Sequence, residues 1–470
     1  MNTFIIGFSE ECSFPEVVEK LAQDDIIKIS QWVVTNKRGT IDLFDFYYGR
    51  SFKHRSIKHF APNHIFQDIS KYMFEFCYIN SRNTVSHKYV NTVQSNTVIE
   101  MHEFMKFVHL IYDIFIEDKI DLVLFQEIPH DGAEAILYRM AEAMKIKTVI
   151  LANLPHFWGR TLMCYSLNDF GSFNNTPILS EGVQEVKIDR QDLKEKMFYM
   201  KYVEGYRTKI NILEKTVKKL GNKLFFKALV KLFLSRKKFT NLQLKFSNAI
   251  IQRNSILEYQ NNIENIIDKN PDLTKRYIYF ALHLDPEVQT MPVIAGEYFD
   301  QIFAIEKLRA ILPDDMFIYV KDNPKQTDIF RPSALFDRLN KLKNVKLVNE
   351  NTYKLIENSC CVATIAGTVG WEAITGGKNV IMFGKNWYQN FPGIFRFDDI
   401  ANINEVINHK INLQDVERAA TQLLKKTSKG MIYFEFQNPK YSITDVYPEY
   451  NRQDNINHLC LSITKMIKNK

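Results

Sequence analysis

The sequence predicts an α/β protein of two doubly wound domains, each with a largely parallel sheet, separated by a basic helical insertion. Three observations carry that prediction. Short apolar runs alternate with helical periodicities through the first 155 residues, and the same alternation resumes at Arg276. Between them, residues 185–265 are polar, helical and basic, with hardly any strand signal. Strand–helix–strand at this spacing argues for parallel strands joined by crossover helices.

The elements follow in order. Phe4 to Phe8 is a short apolar run ending in a loop, as a buried first strand requires, and Pro15 to Leu21 reads as a helix start. Ile26 to Val34 is rich in β-branched residues. From Thr97 a helical pattern carries Ile99, Phe104, Phe107, Val108, Ile111, Ile114 and Phe115, mostly at three- and four-residue spacing. Asp121 to Gln126 is strand-like, an Ala-rich helix runs from Ala133 to Lys145, and Lys147 to Leu151 is the next strand. In the second half the strand candidates are Tyr277 to Ala281, Met316 to Val320, Val345 to Val348, Cys361 to Ile365 and Val380 to Phe383. Asp454 to Lys468 looks helical again.

Bulk properties narrow the function. The 470 residues suffice for two or three domains, and 46% hydrophobic with 24% charged is ordinary globular composition. A formal charge of +7, from 61 Lys and Arg against 54 Asp and Glu, is too small to imply nucleic acid. The six cysteines contain no C-x-x-C spacing, so neither a zinc site nor a disulfide framework is expected, and the chain reads as a reduced, intracellular protein. The N-terminus lacks a basic n-region, and no stretch approaches the roughly 18 apolar residues of a spanning helix. Membrane contact would therefore be peripheral. The eleven histidines form no metal-ligand cluster. No Asp-x-Asp follows a strand, and Asp42-Leu43-Phe44-Asp45 has the wrong spacing, so no metal and no cofactor are expected.

The strongest local signal is Cys361-Val362-Ala363-Thr364-Ile365-Ala366-Gly367-Thr368-Val369-Gly370-Trp371-Glu372, a buried strand running into a small-residue turn and a helix start. Gly367 and Gly370 let backbone approach a ligand, and unpaired helix N–H groups favour an anion. The hydroxyls of Thr364 and Thr368 can add bonds to phosphate oxygens, and Glu372 is placed to accept from ribose hydroxyls. A tight strand–helix turn with a capping Thr is the plain structural alternative.

Read on through Gly376-Gly377-Lys378-Asn379-Val380-Ile381-Met382-Phe383-Gly384 to Trp387-Tyr388, the segment resembles the bacterial capsule polysaccharide biosynthesis family. That family has "G-x-x-G-W-E-A", then "G-K-P-V-I-x-F-G", then "W-Y"; Asn379 stands here where it usually has Pro. Leu282-His283-Leu284-Asp285-Pro286-Glu287 resembles its "LHxxPE" element, and Val320-Lys321-Asp322-Asn323-Pro324 its "V-K-E-H-P", with Asn323 in place of His. The likeness covers residues 276–400 well and the N-terminal half loosely. It implies a GT-B-like glycosyltransferase, with two Rossmann-like domains facing a cleft, and a CMP-linked Kdo or related nonulosonic acid as donor. It also implies donor contacts at His283, Glu287, Lys321, Asn323, Thr364, Gly367, Thr368, Gly370 and Glu372. Asn323 can donate a hydrogen bond but carries no charge, which leaves UDP-sugar, GDP-sugar and CDP-glycerol donors open, as well as a non-catalytic role in capsule assembly.

In the N-terminal half, strand 121–126 ends in Glu127-Ile128-Pro129-His130-Asp131-Gly132-Ala133-Glu134. An acceptor hydroxyl is a poor nucleophile until a carboxylate or imidazole takes its proton. Asp131 before Gly132 resembles the acid-acid-Gly element that supplies the base in several sialyltransferase families, with His130 at the first acid's position. If configuration is retained, Asp131 or Glu127 could act as nucleophile instead. Asp131 as helix N-cap with Glu134 three residues on is the structural alternative, compatible with either role.

Between Lys215 and Lys238 stand nine Lys or Arg and no acid. Leu224, Phe225, Phe226, Ala228, Leu229, Leu232 and Phe233 share one broad helical face beside a stripe of Lys219, Lys223, Lys227 and Lys231, the pattern of a helix lying on an anionic bilayer. A solvated interdomain helix is the alternative. The expected organisation is an acceptor and catalytic domain over 1–180, a membrane-associating region over 185–265, a nucleotide-sugar domain over 270–440, and a C-terminal helix, 441–470, packing back on the first domain. The expected partners are a nucleotide-sugar donor, a glycan or lipid-linked acceptor and the inner leaflet, with no nucleic acid. The expected location is cytoplasmic, peripheral on the inner membrane.

Overall fold

The computed structural model describes residues 1–7, 12–34, 41–42, 56–77, 97–154, 156–157, 159–188, 258–259, 261–285, 287–323, 326, 333–432 and 450–469. They fall into two compact units. The first draws on Met1–Asn83, Ser95–Val186 and Glu417–Lys470, the second on Lys187–Val416. The basic segment 215–238 lies outside the described residues.

The first unit opens with β1 (Asn2–Ile6), α1 (Phe14–Gln23), β2 (Lys28–Val34), β3 (Ile41–Asp42), α2 (Asn63–Ser70), α3 (Thr97–Glu117), β4 (Leu122–Phe125), α4 (Gly132–Ala143), β5 (Lys147–Asn153) and β6 (Arg160–Cys164). The second contains β7 (Tyr277–Ala281), α5 (Gln301–Ile311), β8 (Phe317–Lys321), α6 (Ser333–Asn340), β9 (Val345–Leu347) and α7 (Thr352–Asn358). It continues through β10 (Cys361–Thr364), α8 (Thr368–Thr375), β11 (Val380–Met382), β12 (Ile394–Arg396) and α9 (Ile403–Asn408). Along α10 (Leu413–Lys425) the chain returns to the first unit, which ends in β13 (Ser428–Lys429) and α11 (Arg452–Lys468).

The first sheet has the order β13-β6-β5-β4-β1-β2-β3. Its strands β3, β2, β1, β4 and β5 are parallel, while β6 and β13 each pair antiparallel with the preceding neighbour. The second sheet, β12-β11-β10-β7-β8-β9, is parallel throughout. In both, the chain starts at the centre, works out to one edge and then crosses back to the other side. Setting aside the added β13, this is the doubly wound 3-2-1-4-5-6 order of a Rossmann-like domain, and two such domains in one chain make the protein GT-B-like. Where the winding reverses, successive loops part and leave a crevice outside the carboxyl ends of the strands. The reversal falls between β1 and β4 in the first unit and between β7 and β10 in the second.

Sheets covered by helices on both faces need unbroken apolar strands. Leu122-Val123-Leu124-Phe125 and Cys361-Val362-Ala363-Thr364 are buried at every position. On one face of the first sheet, Ile5, Leu124, Val149 and Leu151 pack with Val17, Val18 and Leu21 of α1 and with Leu459, Ile463 and Met466 of α11. On the other, Phe4 meets Phe115 of α3 and Phe125 meets Tyr138 of α4, both edge-on at about 6 Å. Each fully buried side chain of this size contributes about 1.5–3 kcal/mol. Polar anchors complete the seat of α11. Tyr165 donates to the carbonyl of Met466 at 2.8 Å, and Lys147 Nζ to those of Ile467 and Asn469 at 2.8 and 2.6 Å.

Candidate active site

At the reversal of the second sheet, β7 delivers His283 and β10 delivers Thr364 to the same place. His283 Nε2 accepts from the Ala366 N–H at 3.2 Å and lies 3.1 Å from Thr364 Oγ1. A backbone N–H can only donate, so Nε2 is unprotonated and the neutral imidazole carries its proton on Nδ1. Thr364 then donates to Nε2 while its oxygen accepts from the Gly367 N–H at 3.1 Å. The imidazole therefore pins the strand-to-helix turn.

The turn explains its glycines. A Cβ on Gly367 would stand 2.6 Å from His283 Cε1, and one on Gly370 would run into the Tyr388 ring, 2.9 Å from Cε2. Tyr388 is fully buried and donates its hydroxyl to the Gly367 carbonyl. The room left by each glycine is thus taken by the protein's own side chains. Beneath them, Trp371 and Trp387 lie with ring centroids 4.9 Å apart, both nearly buried. The turn consumes the N–H groups of Ala366 and Gly367. Among the described residues, no acceptor meets those of Thr368 and Val369 in the first turn of α8, which has no side-chain cap. Such a helix start carries a partial positive charge and suits an anion. Thr368 is half-buried beside it, and so is Glu372 one turn on, whose carboxyl is pushed by burial up to about 7.

The other expected donor contacts sit in the flanking loops. Lys321, at the end of β8, donates to the Glu350 carbonyl at 2.7 Å and to Thr352 Oγ1 at 2.9 Å, tying β8 to the loop after β9. The Asn323 N–H donates to Asp322 Oδ1 at 2.7 Å, and its carbonyl accepts from Gln326. Glu287 is exposed and caps a short turn of 3-10 helix, Val288–Thr290. Sequence reasoning missed the clamp between these loops. Buried Asp285 accepts from the Thr290 hydroxyl at 3.0 Å, and Asp285 and Gln326 exchange two hydrogen bonds at 2.8 and 3.1 Å.

The reversal of the first sheet holds Glu127, His130 and Asp131 together, and adds Glu134. Glu134 Oε2 accepts from the N–H groups of His130 and Asp131 at 3.2 and 3.3 Å, within a capping box that starts α4. Its Oε1 is buried with no hydrogen-bond partner among the described residues. His130 Nδ1 donates to the Ile128 carbonyl at 2.8 Å. Burial pulls the His130 imidazole down, but the charges of Glu127, Asp131 and Glu134 outweigh it and lift it to about 9. Burial pushes Glu134 up as well. Three carboxyl groups surround a histidine that is cationic at neutral pH. In that box the Asp131 carboxylate also accepts from the backbone N–H of Glu134, and a carboxylate has lone pairs for a further partner, so a capping role for Asp131–Glu134 does not exclude a catalytic one.

Among the described residues, no three His, Cys, Asp or Glu side chains converge to hold a metal, and no helix is long and apolar enough to cross a membrane.

Two doubly wound domains, one with an open helix start and one with a carboxylate–histidine cluster at its reversal, define an α/β protein of GT-B-like build. Residues 235–433 match the family described as capsule polysaccharide biosynthesis protein. A curated relative, Protein FixF of Sinorhizobium fredii (strain NBRC 101917 / NGR234), is 34% identical over 96 residues, 20% of this chain and 22% of that protein. The match thus spans about a fifth of the relative's length. Among solved structures, the KpsC β-Kdo 2,7 transferase of Thermosulfurimonas dismutans aligns at 12% identity and a TM-score of 0.33, over 74% of this chain and 87% of that one. The UDP-GlcNAc 2-epimerase of Methanocaldococcus jannaschii aligns at 14% identity and a TM-score of 0.25, over 90% and 99%.

Proposed function

We propose that the chain is a glycosyltransferase moving a nonulosonic acid (Kdo, pseudaminic or sialic acid type) from a CMP-sugar to a surface-polysaccharide or lipid-linked glycan acceptor. The observation that carries this reading is the open first turn of α8 at the reversal of the second sheet, inside the family-matched segment. Two unclosed N–H groups and a helix dipole of about half a charge suit the single phosphate of a CMP-sugar. Glu372 accepts from the ribose, and Thr368 adds a hydroxyl to the phosphate. His283 holds the turn in shape, and Lys321 and Asn323 shape the neighbouring loop. The reaction calls on no cofactor and no metal. At the first unit, Asp131 takes the proton of the acceptor hydroxyl. If the product retains configuration, Asp131 or Glu127 is the nucleophile. His130 supplies positive charge beside them.

The test is competition binding of CMP, CDP, UDP and GDP, together with transfer measured on the intact chain. CMP should bind best. Asp131→Ala should keep CMP binding and lose transfer by about 10²–10⁴-fold; a fully active variant removes Asp131 from the chemistry. Asn323 at the position of a cationic histidine favours a second reading, a UDP-sugar, GDP-sugar or CDP-glycerol donor, which a win for those nucleotides would select. A chain that binds no nucleotide and hydrolyses no donor would be a non-catalytic assembly member.

The nine cations of 215–238, free of acids, support a peripheral position on the cytoplasmic face of the inner membrane, each contributing about 1 kcal/mol near an anionic surface. Co-sedimentation with anionic but not neutral phospholipid vesicles is expected. Equal recovery with both would remove the membrane placement.

A further inference from the structure

The first unit carries a second polar recess, apart from the carboxylate cluster. A cavity of about 620 Å³ is lined by Arg160, Lys429, His458 and Asp454, among others. Three more of its lining residues are glycines at positive φ: Gly159 at 74°, Gly182 at 63° and Gly430 at 104°. A Cβ on Gly182 would meet nothing within 4 Å, so bare peptide groups face the space there. Asn455 gives the lining a firm anchor. Asn455 is buried, accepts from the Met431 N–H at 2.7 Å and donates to Ser13 Oγ at 2.9 Å.

Its place in the sheet gives the recess meaning. Thr161 of β6 pairs with Asn153 at the end of β5, and Lys429 of β13 pairs with Arg160. Arg160 and Lys429 therefore stand at the carboxyl edge of the sheet, the edge that also carries Glu127 to Glu134 beyond β4. From β4 to β6 is two strand spacings, about 10 Å. Arg160 donates to Ser180 Oγ at 3.0 Å. Among the described residues, neither the Lys429 ammonium nor the His458 ring is paired with a carboxylate. Asp454, at the start of α11, is the one carboxylate in the lining. The balance is positive, and the volume lies in the range that encloses a molecule of drug size, here a short oligosaccharide.

We propose that this recess is an acceptor subsite for an acidic saccharide, whose carboxylate or phosphate is held by Arg160, Lys429 and His458 while sugar hydroxyls bond the exposed peptide groups. The assignment rests on the transferase reading above. It names the acceptor's class: a negatively charged glycan whose reactive end reaches along the sheet edge to Asp131.

The intact chain, without donor, is titrated calorimetrically with a short oligogalacturonate, a sugar phosphate and maltotriose. At least one anionic probe should bind and maltotriose should not, and the better of the two identifies the anion. Lys429→Glu and His458→Glu alter exposed side chains and should each weaken that binding by on the order of tenfold, with unchanged circular dichroism and unchanged CMP affinity. Unchanged affinity in both variants, equal binding of maltotriose, or no binding of either anion overturns the subsite. CMP binding and donor hydrolysis are scored separately. Their absence alongside acidic-saccharide binding would sink the transferase reading and leave the subsite standing.

Discussion

The two reversal points share a winding order and differ in what occupies them. At β7 and β10 the turn is closed by neutral groups: an imidazole accepting from Ala366, a threonine accepting from Gly367, and a tyrosine filling the space over Gly370. At the first turn of α8 no acceptor among the described residues meets the backbone N–H groups of Thr368 and Val369. At β1 and β4 a side-chain oxygen, Glu134 Oε1, is buried with no hydrogen-bond partner among the described residues, beside the carboxyl groups of Glu127 and Asp131 and a histidine raised to about 9. Fixed dipoles hold an anion without exchanging protons, whereas clustered titratable groups are suited to moving one. The same topology thus presents backbone donors at one edge and clustered titratable groups at the other.

The most damaging way to break the contrast is Gly367→Ala. The new methyl needs the space 2.6 Å from His283 Cε1, and the imidazole cannot move without releasing Ala366 and Thr364. Overpacking of this kind costs about 1–3 kcal/mol. The second unit should melt lower, and nucleotide binding should fall with it. A variant that melts and binds like the parent would show that the turn is soft and that His283 does not pin it.

A smaller effect separates the units by pH. His130 is raised to about 9 in the folded chain from an ordinary value near 6.5. The stabilisation it draws from the carboxylates is therefore fully present below about 6.5 and is lost as pH rises through about 9. His130→Gln should cost on the order of 1 kcal/mol at pH 6 and little at pH 10. Urea midpoints at the two values measure this. A cost independent of pH would mean that packing, not charge, is what His130 contributes.

The central strands were legible because parallel strands buried on both faces leave unbroken apolar runs, as in Leu122–Phe125 and Cys361–Thr364. The strands that escaped notice carry weaker marks. Arg160–Cys164 mixes polar and apolar residues and runs antiparallel at the sheet's flank, Ile394–Arg396 is short and half-buried throughout, and Ser428–Lys429 has only two residues. The long helices read well from their periodicity: Thr97–Glu117 and Arg452–Lys468 appear where the spacing placed them. The site was legible only as segments. That His283 would bond Ala366, 83 positions on, follows from strand order, which no local pattern encodes. Glu134 announced itself as a capping residue; its burial among like charges depends on how α4 lies on the sheet.

The smallest expected effect concerns the edge with the backbone donors. Glu372 is the titratable group of the α8 segment whose carboxyl is raised to about 7, so between pH 6 and 8 it passes from largely neutral to largely ionised. An ionised carboxylate is the better acceptor for two ribose hydroxyls, and CMP affinity should rise with pH across that interval. The nucleotide's own phosphate, with a second pKa near 6, titrates nearby and would raise affinity too, so the parent alone proves nothing. Glu372→Gln keeps the size and the phosphate titration and removes only the carboxyl. The ratio of parent to variant affinity should therefore grow about threefold from pH 6 to 8. A ratio that stays flat would take Glu372 off the ribose, leaving the two N–H groups of Thr368 and Val369 as what this edge offers a nucleotide.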